Sequence, residues 1–218
     1  MDKVRPPCHL AVMTFRLPEA LQDPDDAAAL KLLWRYFGRP YLGPGCADGA
    51  YFDTWAPETD PFRFTADDLL AVKFLSIEVP KPAVRALLRD RADEFAELLQ
   101  RLGPDRDLAD EGPLADTWAG WTLMTELRRI PDVGTTTASK LLARKRPRLR
   151  PIWDSVIAVV TDSARQLWEP LRAELQKDDK ALHQRLLRLR DAADLPEAVT
   201  ALRVFDVIAW REGKDRGF

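Results

Sequence analysis

From residue 23 onward the apolar positions recur three or four apart, separated by prolines and glycines, and no stretch alternates with the period of a strand. Asp23-Pro24-Asp25-Asp26 puts acids where a helix begins, and 27–37 continues at helical spacing. Gly38 to Gly49, with Pro40 and Pro44 inside it, predicts a loop leading to an aromatic cluster, Tyr51, Phe52 and Trp55. Thr65-Ala66-Asp67-Asp68 resembles a capping box with Asp in place of Glu, ahead of a buried helix from Leu69 to Ile77 that Pro80 and Pro82 end. Val84, Leu87, Leu88, Phe95, Leu98, Leu99 and Leu102 mark a further helical element, closed by Gly103-Pro104. Leu114, Trp118, Trp121, Met124 and Leu127 mark an amphipathic one. A tight break at Pro131–Gly134 precedes a helix over 135–145. Asp154 opens the apolar run Val156 to Val160, and two more helices fit roughly 168–193 and 197–212. The expectation is an all-α chain, folded as one helical unit over 1–218. The short apolar stretch Leu10 to Phe15 fits helix or strand equally.

Composition narrows the class. The chain has 218 residues, 46% of them hydrophobic, enough for a sizeable core. Lys and Arg number 33 against 35 Asp and Glu, and the net charge of −2 lends no support to a nucleic-acid or membrane-surface role. Cys8 and Cys46 are too few for a disulfide framework, a four-thiolate zinc site or an iron–sulfur cluster. His9 and His183 are the only imidazoles. No metal or organic cofactor is expected. No apolar run approaches the ~20 residues of a membrane span, and Met1 to Pro7 lacks a signal-peptide apolar core, so a soluble, cytoplasmic protein is expected.

The distribution of charge says more than its sum. Arg128, Arg129, Lys140, Arg144, Lys145, Arg146, Arg148 and Arg150 stand against a single acid, Asp132, so 128–150 carries +7 and the remainder −9, giving −2 in all. A basic block on an acidic body suggests where an anion docks; the bland alternative is a solvated helix face.

Within that block, Leu127-Arg128-Arg129-Ile130-Pro131-Asp132-Val133-Gly134-Thr135-Thr136-Thr137-Ala138 resembles the helix–hairpin–helix motif, loosely apolar-Pro-Gly-apolar-Gly-x-x-Thr-Ala. In such a hairpin Ile130 and Val133 point into the shared core, and Gly134 lets a phosphate approach the backbone. The amides at the start of the second helix face that phosphate. The expected DNA-binding residues are Val133, Gly134, Thr135, Thr136 and Thr137, with Lys140 and Arg144 lying along one side of the helix to reach the flanking backbone.

Asp154 stands twenty positions after Gly134, in Trp153-Asp154-Ser155-Val156-Ile157. Over roughly 114–160 the chain thus resembles the helix–hairpin–helix superfamily of DNA base-excision glycosylases, and it also resembles an uncharacterised bacterial family carrying this hairpin. The resemblance implies two helical lobes with a cleft between them and hydrolysis of the N-glycosidic bond of a modified or damaged base flipped out of double-stranded DNA. It assigns catalysis to Asp154, which would stabilise oxocarbenium charge and activate water, and it implies a nucleoid-associated location. Asp132 replaces the first hairpin glycine, tolerating left-handed backbone while adding a negative charge near the phosphate. Thr136 stands where bifunctional members carry a nucleophilic lysine, so a monofunctional hydrolase without lyase activity is expected.

Each residue also has a plainer reading. Asp154 suits the role of an N-cap, which is compatible with catalysis. Trp118 and Trp121 suit a core, while Trp121, Trp153, Tyr51 and Phe52 are candidates for a base pocket. His183 is expected on the surface, and Asp67-Asp68 at a helix start. The alternatives to an enzyme are a non-catalytic DNA-binding hairpin protein whose base pocket is lost, and a helical protein-interaction module.

Overall fold

The computed structural model describes residues 15–41, 48–163 and 166–218. Cys8, His9, Cys46 and the apolar positions 10–14 lie outside the described residues. Among the described residues all regular structure is helical, in eleven α-helices joined by short turns.

α1 (Glu19–Gln22) is a single turn, and α2 (Ala27–Phe37) spans the range its periodicity predicts. α3 (Tyr51–Thr54) carries the aromatic cluster. Both arms of the capping box form at α4 (Ala66–Lys73): the Thr65 hydroxyl accepts the Asp68 N–H, and the Asp68 carboxylate accepts the Thr65 N–H at 2.8 Å. α4 stops short of Ile77, because Ser76 takes positive φ and turns the chain. Val84 to Leu102 is two helices rather than one. α5 (Lys81–Arg85) widens into a π turn over Ala86–Asp90, closed by the Arg91 N–H on the Ala86 carbonyl, and α6 (Ala92–Leu102) follows. That turn leaves Val84 and Leu88 exposed, while Leu87, Phe95, Leu98, Leu99 and Leu102 are buried.

α7 (Ala119–Arg128) begins after Trp118, which is extended at its N-cap, and Leu114 sits in the preceding loop. α8 (Thr135–Lys145) and α9 (Ser155–Val160) fall where expected. α10 (Trp168–Ala192) is two helical segments joined at Asp178-Asp179-Lys180, three residues of positive φ. His183 follows this joint and is 7% exposed, its Nε2 3.9 Å from Asp107 Oδ2, which corrects the surface expectation. α10 packs on the turn at Leu108–Asp110, with Gln176 donating to the Ala109 carbonyl at 3.1 Å and Lys180 at the joint paired with Asp110.

α11 (Ala201–Asp215) is the axis of the fold. Thr200 caps it by accepting the Arg203 N–H at 3.2 Å. Every residue from Ala201 to Ala209 is buried, so this helix packs around most of its circumference, against α2, α9 and α10. A helix surrounded in this way must be apolar nearly all round. The exceptions within it, Arg203 and Asp206, stand out chemically. No described helix is long and apolar enough to cross a membrane.

Candidate functional site

The hairpin forms at the expected place. The Ile130 N–H bonds to the Leu127 carbonyl and the Val133 N–H to the Ile130 carbonyl, both at 3.1 Å, and both apolar side chains are buried. Asp132 has φ +65°, so an aspartate holds the left-handed position that glycine holds in the resembled motif. Gly134 is the extended N-cap of α8 (φ −84°, ψ 178°) and is exposed. A methyl group built on it meets nothing within 4 Å. No side chain caps α8, so the amides of its first turn have no partner among the described residues. Thr135 and Thr136 are half-buried and Thr137 is buried.

The basic block behaves differently from its expectation. Arg128, Arg129 and Arg148 are exposed, and the latter two are paired with Glu126 and Asp107. The others turn inward. Arg144 donates to Asp68 Oδ1 at 3.2 Å and to the carbonyls of Phe52, Trp55 and Ala56. Lys145 bonds to Asp68 and to the Asp60 carbonyl, and Arg146 to the carbonyls of Leu99, Pro61 and Gly103. Arg144 and Arg146 thereby supply donors to carbonyls at the C-terminal ends of α3 and α6. Lys140 is 8% exposed and donates to the Leu75 carbonyl at 2.9 Å. The expectation that Lys140 and Arg144 lie outward along α8 to contact a DNA backbone is therefore corrected for both. Both side chains bond to backbone carbonyls inside the fold.

Asp154 caps α9: its Oδ1 accepts the Ile157 N–H at 2.9 Å, and its Oδ2 makes no bond among the described residues. The two residues before it are clamped from both sides. Ile152 N–H donates to Asp206 Oδ2 at 3.1 Å from α11, and Trp153 N–H donates to the Ser139 hydroxyl at 3.1 Å from α8. The Ser139 hydroxyl proton is in turn shared between the carbonyls of Thr136 and Trp153, each at 3.1 Å.

The clamp places Asp154 on the wall of a cavity of about 600 Å³. Thr136 and Lys140 of α8, Asp206 and Trp210 of α11, Tyr36 of α2 and the turn Phe74–Ile77 also line it. Burial pushes the Lys140 ammonium below its ordinary range, opposed by the nearby charge of Asp154. Burial holds the Asp206 carboxyl well above the usual carboxylate range, against the pull of Arg203. Arg203 itself is fixed by Asp53, at 3.0 Å to both oxygens, and by Tyr36 Oη at 2.8 Å. Among the described residues no cluster of His, Cys, Asp or Glu could hold a metal ion.

Residues 29–213 match the model of a family of unknown function, DUF6308. The chain belongs to that family. No curated protein and no solved structure matches it.

In this DUF6308 chain the expected base-pocket residues stand elsewhere. Trp121 stacks on Trp168 with centroids 4.5 Å apart, and Trp153 lies 6.3 Å from the same ring. Phe52 is buried, and Tyr51 stacks on Phe74 at 4.9 Å, behind the cavity wall. Trp121, Trp153, Tyr51 and Phe52 do not line the Asp154 cavity, which corrects that expectation; Tyr36, Phe74 and Trp210 do. Helical spacing marks which tryptophans share a face but not which element opposes them. Asp206 and Arg203 had a signal, since each interrupts an otherwise apolar run, Leu202 to Ala209.

Proposed function

We propose that this protein binds double-stranded DNA through the 130–138 hairpin and hydrolyses the N-glycosidic bond of a base flipped into the Asp154 cavity. The observation that carries the reading is the position of Asp154. Its capping oxygen is fixed by Ile157, its other oxygen is unbonded among the described residues, and it lines a cavity that also takes in Thr136 of the hairpin helix. A flipped base needs an enclosed site beside the duplex contact, and this cavity has both the volume and the adjacency. A carboxylate there can orient water and stabilise positive charge developing on the sugar. The non-catalytic alternative calls for a filled site at Asp154, and the cavity favours the enzyme.

The inward turn of Lys140 and Arg144 changes how DNA would be held. The contact rests on the open amides of α8 and the exposed Arg128, with Asp132 opposing. Gly134→Asp tests it. The backbone there suits any residue, the space is open, and Asp is a good N-cap, so the fold is retained. A carboxylate set against the incoming phosphate should lower duplex affinity by about tenfold or more. Unchanged affinity would remove the hairpin as the DNA contact.

A further inference from the structure

Asp215 ends α11 facing three cations, Arg35 and Lys31 of α2 and Arg211 one turn before it. Arg35 takes both of its oxygens, at 2.5 and 2.9 Å. Arg211 is left 4.0 Å from Oδ1 and makes no hydrogen bond among the described residues. Its side chain keeps 22% of its surface, and of its three nitrogens only Nε is buried without a bond, so both Nη groups are open. Lys214 is exposed and bonds to the Phe218 carbonyl at 2.9 Å. Glu212, between them, is committed elsewhere, accepting the N–H groups of Glu19 and Ala20 at 3.0 and 3.1 Å. Arg35, Arg211 and Lys214 line the Asp154 cavity together with Trp210. The Trp210 ring lies 5.7 Å from the Arg211 guanidinium carbon and 5.8 Å from the Lys214 ammonium. Open cations and an aromatic wall thus adjoin at one rim, as phosphate and base adjoin in a nucleotide.

We propose that Arg211 and Lys214 hold a phosphodiester of the DNA strand that carries the flipped nucleotide, so that the strand is gripped at the end of α11 as well as at the α8 hairpin. This rests on the reading of the cavity as a base pocket in a DNA-binding protein, and names the group that its α11 rim takes. A guanidinium with both Nη groups open matches two phosphate oxygens at once, and Lys214 adds a point charge. Most of the basic block at 128–150 turns inward, whereas these two cations remain available at the cavity. The Arg35 hydrogen bonds hold the Asp215 carboxyl below its ordinary range, so it stays ionised and opposes the strand.

The test is fluorescence-anisotropy titration of a labelled duplex with the whole protein across a salt series. The double variant Arg211→Gln, Lys214→Gln should bind about tenfold or more weaker at low salt and lose about 1 from the slope of log affinity against log salt. Lys214→Gln alone, at an exposed position, should move both quantities the same way and carries the test if the double variant does not fold. Arg101→Gln removes an exposed charge from α6, off the cavity wall, and should leave the slope unchanged. Asp215→Asn should bind about threefold or more tighter, because it removes the opposing charge and releases Arg35. Affinity and slope unchanged by the α11 variants, while Gly134→Asp weakens binding, would overturn this inference and leave the hairpin contact standing. Equal losses in Arg101→Gln, or weaker binding by Asp215→Asn, would overturn it as well. Losses confined to the α11 variants, in a protein that forms no abasic site in any duplex, would sink the glycosylase reading and leave this inference standing. No duplex binding by the wild type would overturn both.

Discussion

Ser139 and Trp153 are joined through both backbone groups of the tryptophan: the Trp153 N–H donates to the serine hydroxyl at 3.1 Å, and the Trp153 carbonyl lies 3.1 Å from the same oxygen. One side chain of α8 thereby holds the residue next to Asp154. Ser139 is fully buried, so water does not replace it readily. Ser139→Ala should cost about 1–3 kcal/mol, because Trp153 loses its hydrogen bonds. Urea denaturation measures it; a loss below about 0.5 kcal/mol would mean that the clamp is not a stabilising element.

Arg144 donates to one carboxylate and three carbonyls with its side chain 8% exposed. Arg144→Ala leaves those acceptors and Asp68 poorly satisfied and should destabilise by about 3–5 kcal/mol. Arg144→Lys should recover little of it, since one ammonium cannot span a fork of acceptors. The salt slope of DNA binding should be unchanged in any variant that remains folded, because this charge faces inward. A shallower slope would return Arg144 to the DNA contact.

Arg150 lies between two indoles, its guanidinium carbon 3.5 Å from the Trp118 centroid and 4.0 Å from that of Trp168. None of its three guanidinium nitrogens has a hydrogen-bond partner among the described residues. Burial pulls its pKa well below the arginine range. Arg150→Met keeps much of the volume without an unpaired charge, so stability should be unchanged or higher in a thermal melt. Gly120 floors this cage: a Cβ there would come within 1.9 Å of Nη2 and 2.4 Å of the Trp118 ring. Gly120→Ala should therefore cost about 1–3 kcal/mol by overpacking. A stable alanine variant together with a strongly destabilised methionine one would contradict this account of the cage.

Asp105 carries a pH dependence whose sign is fixed. Burial pushes its carboxyl up from 3.8 to about 6, although it accepts the Arg148 N–H. Between those values the folded chain keeps a proton that the unfolded chain has released, so wild-type stability falls as pH rises through this window and levels off above it. Asp105→Asn does not titrate. Its stability relative to wild type should rise between about pH 4 and pH 6 in denaturation series. A difference independent of pH would contradict the assignment.

The helices and the hairpin were legible because their signals are local: a capping box at Thr65, a turn at Pro131–Gly134, apolar spacing along α2 and α8. Asp132 in left-handed backbone followed from its place at the first glycine of the resembled hairpin and from the tolerance of aspartate for that conformation. What the pattern could not carry was the direction of long polar side chains. Lys140 and Arg144 sit at spacings that read as a solvated face, yet each meets a carbonyl more than sixty positions away in the chain. The cavity walls were hidden for the same reason, since Tyr36, Phe74 and Trp210 come from three distant segments. The resemblance singled out Asp154 by its distance from Gly134, and its dual place, cap and cavity wall, needed the clamp from Ser139 and Asp206.

The central claim is tested most directly by single-turnover formation of abasic sites in a panel of modified-base duplexes, comparing wild type with Asp154→Asn. Asn also caps helices, so its side-chain oxygen can keep the Ile157 N–H and the fold with it. The wild type should release the base from at least one duplex. The variant should be slower by about 10²–10⁴-fold while retaining duplex affinity and melting temperature. Abasic sites formed by Asp154→Asn at the wild-type rate, or none formed by the wild type on any duplex, would contradict the account.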